Sequence, residues 1–266
     1  MPRWNSQQYL QFQAERTQPA VDLAGRIALL NPGAVLDVGC GPGNSTQVLA
    51  ERFPKARILG VDSSEEMLQT ARESYPALSF RRCDASNDLP ELGDTFDVVF
   101  SNACLQWVPD HPKVFQQMME LLNPGGVLAV QVPMNDQEPI HQILSQTAQS
   151  TRWREKIASP RIFYTLSQEE YFNLLGSMTE DFTLWQTTYL HRMPSHQAIM
   201  EWYKGTGMRP YLQALPAAER PAFEQDVYRQ VEQAYPIQSN GEIIFRFPRF
   251  FMLAVKQSDT KTQIAR

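Results

Sequence analysis

"VLDVGCGPGNST", residues 35–46, is the stretch on which the fold turns. An apolar run ends abruptly in Gly39, Gly41 and Gly43, with the cap-forming Asn44, Ser45 and Thr46 directly behind. Glycines after a strand let backbone amides approach a ligand closely, and the N-terminus of the helix that follows favours negative charge. A phosphate loop needs a Gly-Lys-Ser/Thr ending, and "GNST" has no lysine. A dinucleotide fingerprint, G-x-G-x-x-G, needs a glycine where Asn44 stands. What remains is a loop for a nucleoside whose far end carries no pyrophosphate, or a plain strand-to-helix turn.

On either side of this loop the chain alternates. "AVLDVG" reads as a strand, "NSTQVLAERF" as a helix, "RILGVD" as a strand and "SSEEMLQTARESY" as a helix opened by a capping box, Ser63 with Glu66. "LSFRRCDA" and "FDVVFSN" are the third and fourth strands. "PKVFQQMMELL" is a helix with Pro112 in its first turn, and "GGVLAVQVP" is a strand after the turn "NPGG". Strands alternating with helices imply right-handed crossovers and a mostly parallel sheet covered on both faces. Before the alternation, residues 6–30 read as helical, with Ala20, Val21, Ala24, Ile27 and Ala28 at helical spacing. After Pro133 the pattern changes. Residues 134–165 are polar and irregular around a helix at 139–150; "SQEEYFNLLGSM" is a helix and "FTLWQTTYLHRM" a strand. Residues 195–235 are mostly helical, broken at "GTGMRP" and "LPAAERP", and "EIIFRFPRFFMLAVK" is a last strand expected to be bulged or bent at Pro248. The chain thus reads as one domain over 1–256. It comprises a helical lid (1–30), a ligand-binding core (31–133) and a substrate-side half (134–256) with a helical insertion at 194–240; the polar 257–266 is expected to be a disordered tail.

Strand ends after the loop supply polar groups in order. Asp62, nineteen residues beyond Gly43, stands where a carboxylate accepts from ribose hydroxyls. Asp84 in "RCDAS" suits an adenine amino group, or alternatively a turn. Met67 fits the adenine face or the core, and Asn102 in "SNACLQWVPD" would reach an amino-acid end, flanked by Trp107.

"VLDVGCGPGNST", "GVDSS", "CDA" and "SNACLQWVPDH", in this order and spacing, resemble the class I S-adenosylmethionine-dependent methyltransferases over about residues 30–133. The resemblance implies a Rossmann-like α/β fold with a mostly parallel seven-stranded sheet and S-adenosylmethionine as cofactor. It implies Gly39 and Gly41 under the methionine part, Asn44 also binding the cofactor, and Asp37 orienting the ammonium through water. It further implies Asp62 and Ser63 at the ribose, Met67, Asp84 and Ala85 at the adenine, and Asn102 at the methionyl end. Further stretches, among them "MPSHQAIMEWYKGTGMRPYL" and "QAYPIQSNGEIIF", resemble one branch of that family that methylates a small polycarboxylate, extending the likeness to about residue 256.

A carboxylate acceptor, with a pKa of ~4, is already ionised at neutral pH and needs no general base. None is evident: His111, His141, His191 and His196 are scattered without Ser/His/Asp or metal-ligand spacing. A polyanion calls for arginine, whose planar fork matches a carboxylate. Arg16, Arg161, Arg192, Arg209, Arg246 and Arg249 lie outside the nucleotide core. Arg209 in "GTGMRPY" and Arg249 in "FPRF" have the settings of fixed side chains, and Arg16 could close over the site. Tyr9, Phe12, Tyr164, Tyr189, Trp202, His191 and His196 are weaker candidates, for hydroxyls, ring donors or lid packing.

A net charge of −5 argues against broad nucleic-acid binding, and "SNAC" replaces the "NPPY"-type motif of amino methyltransferases. Three cysteines, Cys40, Cys83 and Cys104, make neither a disulfide framework nor a zinc cluster and suit a reducing compartment. The N-terminus lacks signal-peptide blocks, and no apolar run approaches the ~18 residues of a spanning helix. The expectation is a cytoplasmic enzyme, monomer or weak homodimer, with a small-molecule partner, no metal, no membrane and no nucleic acid. Two alternatives stay open: a methyltransferase for another small or lipophilic acid, whose pocket would be apolar with one arginine, and a non-catalytic S-adenosylmethionine-binding protein.

Overall fold

The structure, a computed structural model, describes residues 13–157 and 163–257, the first four of these by backbone only. Tyr9, Phe12, Arg161, the Arg16 side chain and most of the expected tail therefore lie outside the described residues.

One seven-stranded sheet, in the order β3-β2-β1-β4-β5-β7-β6, organises the chain. Its strands are β1 (Ala34–Val38), β2 (Arg57–Asp62), β3 (Ser79–Arg82), β4 (Phe96–Asn102), β5 (Leu122–Pro133), β6 (Phe182–Met193) and β7 (Ile243–Val255). β1 to β5 pair in parallel, and β7 runs antiparallel to both β5 and β6. β1 lies between β2 and β4, so the crossovers turn to opposite sides there and open a crevice at the strands' carboxyl ends. Helices α1 (Gln13–Gly25), α2 (Asn44–Arg52), α3 (Glu65–Ser74) and α4 (His111–Glu120) belong to this half. The other half adds α5 (Pro139–Gln149) and α6 (Gln168–Gly176), and then α7 (His196–Lys204), α8 (Arg209–Ala214) and α9 (Arg220–Ala234) between β6 and β7.

The central strands are buried almost throughout, as a sheet covered on both faces requires. One face packs Leu36, Val99, Phe115 and Tyr171 together; the other packs Leu23, Ile27, Leu49 and Phe251. A separate cluster around Trp153, Phe223 and Phe245 joins α5, α7 and α9 to the ends of β6 and β7. His111 is part of this framework. One ring nitrogen donates to the Leu105 carbonyl at 2.9 Å, the other accepts from the Tyr171 hydroxyl at 2.8 Å, and burial lowers its pKa.

Three local expectations are corrected. Ser64, not Ser63, caps α3, accepting from the Met67 amide at 3.3 Å; its third helical position is Met67, so no capping box forms. "NPGG" is not a separate turn: it lies within β5 as an irregularity, where the register against β4 shifts between Phe96 and Val98. Pro248 produces no bulge, because β7 pairs with β6 in unbroken register from Ile243 to Ala254. Its carbonyl accepts from Met134 beyond the β5 ladder, so the missing N–H falls on a side where no strand asks for it.

Candidate active site

A cavity of about 350 Å³ opens at the carboxyl ends of β1 to β4, where the crevice is expected. Its floor is the glycine loop. Gly39 has φ +76°, and a Cβ there would stand 2.1 Å from the Cys104 sulfur; Gly43 has φ +94°, and a Cβ would stand 2.7 Å from the Tyr75 ring. Both positions demand glycine, for backbone angle and for space. The loop is tied down by its own strand neighbour: the amides of Gly39 and Cys40 donate to the Val61 carbonyl, at 2.8 and 2.9 Å.

Asp62 lies on the wall next to the loop. Its Oδ2 accepts from the Gly41 amide at 2.9 Å and its Oδ1 from the Ser64 amide at 2.8 Å. Burial raises its pKa, and these backbone bonds oppose the rise. Each oxygen keeps a lone pair for a ligand hydroxyl. Ser63, Met67, Asp84, Ala85, Asn44 and Asn102 also line the cavity, as do Gly39 and Gly41. Asp84 lines the cavity and also accepts from the Ser86 amide at 2.9 Å, forming the turn that was its alternative reading. All three cysteines line the cavity as free thiols, a grouping the sequence did not suggest. Burial pushes the Cys83 thiol to about 11, and those of Cys40 and Cys104 are raised for the same reason.

Asp37 is placed differently. It is fully buried beneath the loop and outside the cavity lining. Its Oδ2 accepts from the hydroxyls of Ser45 and Thr46, both at 2.7 Å, while its Oδ1 has no hydrogen-bond partner. Burial raises its pKa to about 6, the two hydroxyls opposing. Asn102 likewise has a buried Oδ1 without a partner. Two orphaned acceptors beside a crevice rimmed with carboxylates fit a ligand whose near end donates hydrogen bonds and is positively charged.

A second cavity of about 120 Å³ adjoins the first, and Ala103 and Trp107 line both. Ala103 has φ +54°, a left-handed conformation that a non-glycine residue seldom adopts. The second cavity is walled by aromatic rings, including Phe163, Trp202 and Phe247, and by Gln106, Asn135, His141 and Tyr203. Its cation is Arg249, which is 5% exposed. The guanidinium lies 4.3 Å from the centre of the Phe247 ring and donates to Gln131 Oε1 at 3.4 Å.

Of the acceptor-side candidates, Arg249, Trp107 and Trp202 are brought to the second cavity. Arg209, His191 and Tyr164 line neither cavity. Arg209 begins α8, within reach of the Glu66 charge, and burial lowers its pKa. His191 stacks on Tyr189 and packs against Trp202, Phe245 and Phe247, one layer behind the cavity wall. Tyr164 is 40% exposed. Arg192 pairs with Glu242 on the surface, Arg246 is exposed and His196 bonds the Tyr235 carbonyl. The Tyr189 hydroxyl donates to Asp22 of α1, which places Thr17 and Ala20 over the first cavity. Asn135, His141, Tyr203 and Gln131 were missed by sequence reasoning. In sequence His141 is only one of four scattered histidines, because its partner, Tyr203, stands 62 positions away.

Comparison with known proteins agrees with this geometry. Residues 31–198 match a family described as a methyltransferase domain. The chain is 43% identical over 254 residues to trans-aconitate 2-methyltransferase of Escherichia coli O139:H28, covering 96% of this chain and 98% of that one. It is 43% identical over 257 residues to the protein of the same name in Azoarcus sp. BH72, covering 96% and 100%. Among solved structures it is similar to the YcgJ protein of Bacillus subtilis, with a TM-score of 0.59 at 14% identity over 92% of this chain and 99% of that one. It is also similar to Haemonchus contortus phosphoethanolamine N-methyltransferase 2 in complex with S-adenosyl-L-methionine, with a TM-score of 0.54 at 19% identity over 91% and 53%. At such identities the structural likeness speaks for the fold alone.

Proposed function

This chain belongs to the trans-aconitate 2-methyltransferase family of S-adenosylmethionine-dependent methyltransferases, and from that membership we infer how its two cavities divide the work. It is a carboxyl O-methyltransferase that methylates trans-aconitate, giving the monomethyl ester and S-adenosylhomocysteine. The observation that carries the reading is the junction of the cavities: a crevice rimmed by carboxylates meets a smaller pocket holding a buried guanidinium.

Bound there, S-adenosylmethionine would supply a sulfonium methyl group for in-line displacement by an acceptor carboxylate, with S-adenosylhomocysteine as the leaving group. The residues of the first cavity suit that cofactor. Asp62 and Ser63 take the ribose; Asp84, Ala85 and Met67 hold the adenine; Gly39, Gly41, Asn44 and Asn102 hold the methionyl end. Asp37 favours the ammonium from below the loop, its charge acting through the buried Oδ1 side. No proton is released in ester formation from a carboxylate, so no side chain need act as acid or base. Arg249 binds an acceptor carboxylate, and Trp107 and the surrounding rings exclude water from the nucleophile, which raises its reactivity. Ala103 keeps the wall between the two reactants thin.

The test is methyl transfer by the purified protein to trans-aconitate, cis-aconitate, citrate and a long-chain acid, with product ester and S-adenosylhomocysteine both measured. Turnover of trans-aconitate above the others is expected; no turnover of any polycarboxylate refutes the reading. One observation favours a second one. Among the described residues Arg249 is the only arginine lining the acceptor cavity, as a monocarboxylate acceptor would require. The long-chain acid in the same assay separates the two. Location in the cytoplasm, a monomeric or weakly dimeric state, and no metal, membrane or nucleic-acid partner complete the proposal. Free thiols and a net charge of −5 support it, and sedimentation checks the assembly state.

A further inference from the structure

The second cavity contains a hydrogen-bonded chain that the methyl-transfer reading leaves unused. Tyr203 is 2% exposed, and its hydroxyl has a polar neighbour on each side. Asn135 Nδ2 donates to it at 3.3 Å, and His141 Nε2 stands 2.9 Å away. With its oxygen accepting from Asn135, the hydroxyl has its proton available for His141 Nε2. An imidazole that accepts at Nε2 is neutral and carries its proton on Nδ1. Burial pushes the Tyr203 hydroxyl well above its ordinary pKa, so the phenol keeps this proton to donate. The ring that delivers it is fixed: a Cβ on Gly207 would lie 2.7 Å from it, and His141 packs edge-on against it with centroids 5.2 Å apart. That contact explains the "YKGTG" stretch, which the cofactor site leaves unaccounted for.

All three residues line the cavity that holds Arg249. On their other side a further cavity shares Asn135 and His141 but adds Asp136, Glu138 and Glu169, a lining that repels a polyanion. The carboxylates of an acceptor are thereby confined between the guanidinium and the imidazole. Resting on the functional reading above, we propose that Arg249 and His141 bind two carboxylates of one acceptor, with Tyr203 as the positioning residue that sets the imidazole as a neutral donor. The third carboxylate is the nucleophile, so a tricarboxylate engages both residues and a dicarboxylate only Arg249; the histidine separates the two, with no second arginine needed.

The experiment measures kcat and KM for trans-aconitate and for the dicarboxylate mesaconate, with calorimetric affinity for S-adenosylmethionine, in the full chain. His141→Ala is expected to raise KM for trans-aconitate about tenfold, the size of one lost hydrogen bond to a charged group. It leaves KM for mesaconate and the cofactor affinity nearly unchanged, so the tri- to dicarboxylate preference collapses. His141→Gln, which keeps a donor, recovers part of that preference. Tyr203→Phe raises KM for trans-aconitate by itself but adds nothing in the His141→Ala background, because it acts through the imidazole. Should His141→Ala fail to fold, His141→Gln and Tyr203→Phe carry the same comparison. An unchanged tri- to dicarboxylate ratio, or a Tyr203→Phe effect as large without His141 as with it, overturns the proposal. Those results presuppose an active wild-type protein; no polycarboxylate turnover by wild type overturns the functional reading instead.

Discussion

Asp37 concentrates the electrostatics of the cofactor side in one carboxylate. With a pKa of about 6 folded against 3.8 unfolded, the folded chain holds more protons between those values. Stability of the free protein therefore falls as pH rises through that window, by about 3 kcal/mol once both states are ionised. A bound ammonium favours the ionised form and reverses the sign for binding. Affinity for S-adenosylmethionine should strengthen as pH rises through about 6 and weaken below it, and Asp37→Asn should flatten that dependence; calorimetry from pH 5 to 8 measures both. On the acceptor side, Arg249→Met is expected to raise acceptor KM about tenfold or more while leaving cofactor affinity intact. Arg209→Met, lining neither cavity, should change KM less than about threefold. Steady-state kinetics on the pair decides whether the buried guanidinium or the surface one binds substrate.

At the scale of elements, the turn from β1 to α2 is where backbone and ligand compete for the same space. Gly39→Ala forces a side chain into a left-handed conformation and against Cys104, 2.1 Å away where contact distance is nearly twice that. A cost of about 3 kcal/mol or more follows from strain and overlap together. A large fall in Tm and loss of cofactor affinity are the expected results, by thermal melt and calorimetry; a variant that melts like the wild type would contradict the loop geometry. This turn, with Asp62, Asp84 and Asn102, was legible beforehand because each group ends a strand of a parallel sheet. Strand ends in such a sheet come together in a predictable order, so linear spacing carries the geometry. Ser63 was misread as a cap because a capping box is a two-residue pattern, and Ser64 satisfies the backbone one residue later.

On the scale of the whole molecule, the proposed acceptor pocket is built on a different core from the proposed cofactor crevice. Trp153, 1% exposed, packs edge-on against Phe223 and donates to Asp226 at 2.9 Å, holding α9 against the loop after α5. Trp153→Ala should cost about 3–5 kcal/mol. Because that loss falls on the cluster behind His141 and Tyr203, acceptor turnover should drop more than S-adenosylmethionine binding. Parallel loss of both would show that the two cores melt as one. The partition also explains what could be read in advance. Residues 35–102 by themselves determined the crevice and most of the side chains that line it, since local strand–loop–helix units bring their ends to one edge. Only the tertiary structure decided the second cavity, the proposed acceptor site. Asn135 meets Tyr203 across 68 positions and Gln131 meets Arg249 across 118, through helices and antiparallel strands whose spacing in sequence says nothing of their contact in space. Local pattern narrowed the arginines to Arg209 and Arg249; choosing between them required knowing which one the folded chain buries, and that is a property of packing.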